Sequence, residues 1–189
     1  MDQSTRLRMT IICALFVAMT AILAQIEIPL PLVPISGQTL AVGITATILG
    51  SRLGALAMIG YMAVGAAGVP VFAEAKSGLS VIIGPTGGYI IGFIFAAYIT
   101  GLILEKTSFT LKNAMLANTV GMVVTLLFGV IQLKFSVDLS WAKALAAGAY
   151  PFIIVGLIKA FLASWIGITV RSRLEKARLL PNTGIKKAV

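Results

Sequence analysis

The sequence predicts an all-α integral membrane protein of six transmembrane helices, with both termini cytoplasmic. Three observations carry the prediction. Of its 189 residues, 59% are apolar and 11% charged, and mean hydropathy is +1.03; a soluble domain is about 45–50% apolar and about 25% charged. Six apolar runs come near the ~20 residues that a spanning helix needs. The basic residues gather on one side of those runs. Too few polar residues remain to cover a water-facing surface, so soluble enzymes and nucleic-acid binders fall away. Residues 1–189 fit a single domain, with a basic cytoplasmic tail from about 171 to 189.

The first run, 9–26, follows Arg6 and Arg8. It could pass for a signal peptide, but no small-residue cleavage site ends it. Glu27, Pro29, Pro31 and Pro34 come next, so a retained span is expected. Runs two and three, 39–50 and 53–67, are short and meet at Gly50-Ser51-Arg52. One long helix is the competing arrangement. It would leave Arg52 at mid-bilayer, where a lone arginine is costly, whereas a turn tolerates it. Two helices are therefore expected. Runs four, five and six cover 87–104, 114–133 and 145–170.

With the N-terminus inside, the inner segments hold eleven Lys and Arg: Arg6, Arg8, Arg52, Lys106, Lys112 and six from Arg171 to Lys187. The outer segments hold three, Lys76, Lys134 and Lys143, and Lys159 falls within the sixth span. This asymmetry matches the positive-inside bias. It ties the net charge of +9 to a bilayer and not to nucleic acid. The outer connections, 28–37, 68–86 and 134–144, are longer than the inner turns at 51–52 and 105–112. Long ordered loops tend to be functional, so a ligand is expected from the outer side.

The chain has no His and a single Cys, Cys13, which removes imidazole catalysis, a disulfide framework and a thiolate metal site. No metal or catalytic constellation is expected. Lys159 is the most informative residue. If its helix starts near Pro151, it lies about two turns (~12 Å) below the outer surface, where an ammonium is placed to hold a ligand carboxylate. A lysine that snorkels or bonds a carbonyl is the alternative. Gly84, Gly87 and Gly88 allow close backbone approach before the fourth helix, and Tyr89 offers a flat face with a polar tip. Plain turn and helix packing would use the same glycines. Gln38 and Thr39 enter the second span as polar groups that either a ligand amide or a neighbouring carbonyl would satisfy. Asn118, about two turns above Lys112, is expected to be interhelical glue, too deep for an outer pocket. Ala14 and Ala18 leave a smooth stripe on the first helix, for packing within the chain or against another protein. Trp141 and Trp165 match interfacial or pocket positions.

These segments together resemble the BioY family of S components, the substrate-binding subunits of energy-coupling-factor (ECF) vitamin transporters. The specific pieces are Pro34-x-x-x-Gln38-Thr39-Leu40, Leu49-Gly-Ser-Arg-Leu-Gly54 and Tyr61-x-x-x-Gly65-x-x-Gly68-Val-Pro-Val-Phe-Ala73. Gly84-Pro-Thr-Gly-Gly-Tyr89 with Gly92-Phe93, then Pro151-Phe152 with Lys159-Ala160, complete the set. The resemblance implies an S-component-like bundle in a prokaryotic plasma membrane that binds biotin from outside, its first loop capping the pocket. It implies no catalysis and no cofactor beyond the transported ligand. The implied partner is a coupling module of one membrane scaffold protein and two ATPases, docking on Ala14 and Ala18. The implied substrate-binding set is Gln38, Thr86, Gly87, Tyr89, Phe93 and Lys159. Biotin's ureido group, thiophane body and carboxylate would meet an amide, aromatic walls and a cation in turn. One departure stands out: many relatives have Pro-Gly-Asp where this chain has Ile154-Val155-Gly156. Competing readings are an S component for another vitamin, a stand-alone biotin transporter, a structural subunit, or an intramembrane enzyme, which would need a nucleophile–base or metal group.

Overall fold

A computed structural model describes residues 3–177, 179 and 180, with side chains from Leu7 onward. The Arg6 side chain, Arg178, Lys186 and Lys187 lie outside the described residues. The elements run α1 (Gln3–Ala24), β1 (Glu27–Ile28), β2 (Ile35–Ser36), α2 (Gln38–Leu49), α3 (Ser51–Ala66), a 3-10 turn (Ala73–Ala75), α4 (Leu79–Ile83), α5 (Gly87–Lys106), α6 (Leu111–Ser136), α7 (Trp141–Gly148) and α8 (Tyr150–Lys176).

All six predicted runs are helical, but they are not six equal spans. Helices α1, α5, α6 and the α7–α8 stretch are long and apolar enough to cross a bilayer. Helices α2 and α3 have 12 and 16 residues, or about 18 and 24 Å, less than the ~30 Å hydrocarbon core. Ten of the twelve α2 residues are buried, and it packs against α1, α3, α5, α6 and α8. A helix apolar all round suits such a central position. It needs no lipid-facing length.

The break between α2 and α3 is a single residue. Gly50 turns the chain at φ +81°, a conformation that side chains disfavour. Glu105, in the last turn of α5, then accepts from the Ser51 backbone N–H and the Ser51 hydroxyl, both at 2.7 Å. A carboxylate at a helix N-terminus complements the dipole. From α8, Arg171 donates to the Ile48 carbonyl (2.6 Å) and to Glu175 (2.8 Å), and its guanidinium lies over the Phe109 ring. The basic tail expected from 171 therefore begins as helix, with Arg171 only 3% exposed.

Both described termini lie at this end, with Leu7 and Arg8 lining one groove with Leu174, Leu179 and Leu180. The opposite end carries the long connections, which are more structured than the sequence indicates. Segment 28–37 closes as an antiparallel pair with Ile28 opposite Ile35. Segment 68–86 contains the 3-10 turn and α4. The third connection shrinks to 137–140, because α6 extends to Ser136 and α7 opens at Trp141, capped by Ser140. The predicted sixth run, 145–170, is split at Ala149, and Pro151 sits in the first turn of α8, where its missing N–H costs nothing.

Candidate functional site

A cavity opens beneath those connections and holds about 1050 Å³ of empty space, counting its mouth. Its walls come from α2, α5, α6 and α8, and its cover from the β1–β2 hairpin and the segment around the 3-10 turn. Glycines shape it. The Phe72 ring occupies the place of a side chain at Gly65 and meets Tyr61 edge-on at 5.6 Å. The Tyr89 ring lies across Gly129 in the same way, and its hydroxyl donates to the Gly148 carbonyl at 2.8 Å. Tyr89 thus joins α5, α6 and α7 while its face looks into the cavity near Phe152, 6.1 Å between ring centres.

Lys159 lies nine residues into α8, about 13 Å along its axis. Its Nζ donates to the Ser36 carbonyl (2.7 Å) and to the Thr39 hydroxyl (3.3 Å). An ammonium has three donors, so one remains for the cavity. Among the described residues no carboxylate comes within ion-pair distance of it; the ion pairs there are Lys76–Glu74 at the rim and Arg171–Glu175 at the far end. A cation with neutral partners in an apolar cavity calls for an anion.

Gln38 is held at both ends of its amide. The Ser36 hydroxyl donates to its Oε1, its Nε2 donates to the Tyr61 hydroxyl, and Tyr61 donates to the Val71 carbonyl, each at 2.7 Å. Protein groups take up half of its capacity, and the residue lines the cavity. This chain of bonds ties the hairpin to the second loop. Two more contacts reinforce the tie: Glu27 accepts from the Glu74 backbone N–H (3.0 Å), and Gln25 Oε1 accepts from Ala75 N–H (3.2 Å). Glu74 and Ala75 adopt φ of 59° and 52°, a conformation that non-glycine residues keep when surroundings hold it.

Five of the six predicted binding residues, Gln38, Thr86, Tyr89, Phe93 and Lys159, line this cavity. Gly87 is the exception. Any Cβ there would overlap the Ile82 carbonyl and come within 2.6 Å of Gln132 Nε2. Gln132 in turn donates to the Ile82 and Gly84 carbonyls at 2.7 and 2.8 Å. Gly87 therefore closes α4 onto the start of α5 and stays outside the lining. Asn118 departs from expectation in the other direction. It does join α2, α6 and α8, yet it also forms part of the cavity floor. Phe72, Phe152 and Ser36 were missed as well, because their approach depends on loop closure and not on spacing. Ala14 and Ala18 are exposed on α1 beside Ile11, Leu15 and Ile22. Trp141 and Trp165 are exposed and away from the cavity, as interfacial tryptophans are.

Fold and site together define a multi-pass membrane protein built around a mostly apolar cavity that opens at one end. The BioY family model matches residues 1–176, and the chain belongs to the BioY family. It is 36% identical to the biotin transporter BioY2 of Lactococcus lactis over 168 residues, 89% of this chain and 92% of that one. Identity to the biotin transporter BioY of Thermotoga maritima is 38% over 173 residues, 91% of this chain and 100% of the other. A crystal structure of the S-component for biotin from an ECF-type ABC transporter matches with TM-score 0.83 at 25% identity, covering 91% and 95% of the two chains.

Proposed function

We propose that this chain is the biotin-binding membrane subunit of an ECF transporter and works in the plasma membrane with an ATPase coupling module. The observation that carries the reading is Lys159, a cation with neutral partners only, facing an apolar cavity that opens under the long loops. The family and the similar biotin S component support the same ligand. In this reading Lys159 neutralises the valerate carboxylate. Tyr89, Phe93 and Phe152 surround the apolar body, and Gln38 and Thr86 supply hydrogen bonds. Gly87 acts indirectly, by holding the turn that presents Thr86 and Tyr89. The exposed stripe of Ala14 and Ala18 meets the membrane scaffold protein of the module.

Calorimetric titration of the purified protein in detergent tests the ligand. Biotin is expected to bind one to one, and excess thiamine or riboflavin to leave that binding unchanged. Displacement by either vitamin would assign the pocket to another S-component ligand. Uptake by cells with and without the coupling module separates a subunit from a stand-alone transporter.

A further inference from the structure

Helix α7 stands outside the cavity lining, and helix geometry fixes its level in the bilayer. On α8, Arg171 follows Tyr150 by 21 positions, about 32 Å along the axis. On α6, Lys134 follows Lys112 by 22 positions, about 33 Å. Each distance matches the ~30 Å hydrocarbon core. Lys134 and Tyr150 therefore mark one boundary of the core, and Lys112 and Arg171 the other. The stretch from Trp141 to Lys176 has 36 residues, about 54 Å if it ran straight, far more than the core takes. The chain breaks at Ala149 (φ −125°, ψ −55°), so α7 lies at the boundary, at the end where the cavity opens.

The two sides of α7 differ. Ala144 is buried with Val130 and Ala149, with Leu139 packed against them, and the Gly148 carbonyl accepts from Tyr89. Trp141, Leu145 and, past the break, Tyr150 are exposed, as is Phe135 at the end of α6. Lys134 Nζ lies 4.4 Å from the Phe135 ring centre and 5.2 Å from the Trp141 ring centre, and the rings meet edge to face at 6.3 Å. The dipole of α6 favours a lysine in its last turn, but it does not call for two exposed rings around it. Among the described residues no carboxylate, Asp138 included, comes within ion-pair distance of Lys134 or Lys143, whereas Lys76 pairs with Glu74.

We infer that this corner is a headgroup site for an anionic phospholipid of the leaflet at the cavity mouth. Lys134 holds the phosphate, while Trp141 and Phe135 pack on the glycerol and the upper acyl chain. Level and charge both point to that occupant. Aromatic rings and lysines together suit the boundary and neither water nor the core. An ammonium over ring faces keeps its outward N–H donors for oxygen acceptors, and lipid phosphates are the anions at that depth. Lys134 and Lys143 against Asp138 leave the corner positive, which favours a net negative lipid over a zwitterionic one. The site is independent of the cavity's ligand, since no residue of the cavity lining takes part in it.

Trp141 reports on the site once Trp165, the other tryptophan, is replaced. Trp165→Phe protein is reconstituted in phosphatidylcholine bilayers that contain phosphatidylglycerol or phosphatidylcholine brominated near the carboxyl end of the acyl chain, because bromine quenches an adjacent indole. Both lipids are expected to quench Trp141, with brominated phosphatidylglycerol at least about threefold more effective at equal mole fraction. Adding Lys134→Gln should bring that ratio close to one, and Lys134→Arg should keep it, with circular dichroism confirming that each variant is folded. Equal quenching by the two lipids in the parent overturns the inference, as does a ratio that survives Lys134→Gln or is lost in Lys134→Arg. Two further results also overturn it. Quenching by aqueous iodide and by neither lipid would put α7 in water, and stronger quenching by lipids brominated near the terminal methyl would put Trp141 in the core.

Discussion

Lys159 holds the Ser36 carbonyl and the Thr39 hydroxyl, so it fastens the end of the hairpin to the wall of the cavity while keeping a donor for a guest. Removing it takes away a link to the cover and, in the proposed reading, a charge-assisted bond to the ligand. Lys159→Ala is expected to weaken biotin binding by more than tenfold, about 1.4 kcal/mol or more, with an unchanged helical circular-dichroism spectrum; calorimetry at fixed pH checks it. Unaltered affinity would mean that the carboxylate is held elsewhere. The chain's departure at Gly156 leaves a place that a neighbouring helix occupies. A Cβ there would fall on the Met122 sulfur, so the place of a side chain on α8 is filled by a thioether from α6. The sequence shows the missing aspartate; only the neighbouring helix shows what stands in its place.

At the level of elements, the cover is two loops clasped by side chains. Gln25 bonds the Phe72 carbonyl (3.1 Å) and the Ala75 N–H, and Glu27 bonds the Glu74 N–H. Each such bond contributes about 0.5–1.5 kcal/mol net. Three such bonds come to at least about 1.5 kcal/mol, so the double variant Gln25→Ala, Glu27→Ala should release bound radiolabelled biotin at least about tenfold faster, with its helical content unchanged. Dissociation measured by rapid filtration after dilution into unlabelled biotin would show it, and an unchanged rate would relieve the clasp of that role. None of this was visible in the proline-rich loop sequence, since a two-residue ladder and a left-handed turn leave no periodicity to read. The long helices were visible throughout, because burial in lipid demands uninterrupted apolar runs. Their ends were less so: the end of α7, from 145, reads as one run with α8 because both are apolar, its start reads as loop, and the Ala149 break between them is a matter of backbone direction.

For the whole molecule, the exposed face of α1 sets small side chains among large ones, with Ala14 and Ala18 beside Ile11, Leu15 and Ile22. Within the proposed transporter, Ala14→Trp should reduce uptake by cells carrying the coupling module at least tenfold while leaving biotin affinity of the purified protein within twofold. Normal uptake would place the docking face elsewhere. The sequence by itself determined the membrane solvent, the helical class and the asymmetry of the charge, because each follows from composition or from residue order along a helix; the family resemblance added five residues of the cavity lining. Tertiary structure alone decided that Gly87 packs and does not line, that Asn118 reaches the cavity floor, and that Arg171 is buried. Those facts depend on which helix stands opposite, and a linear pattern carries no record of its neighbours across the bundle.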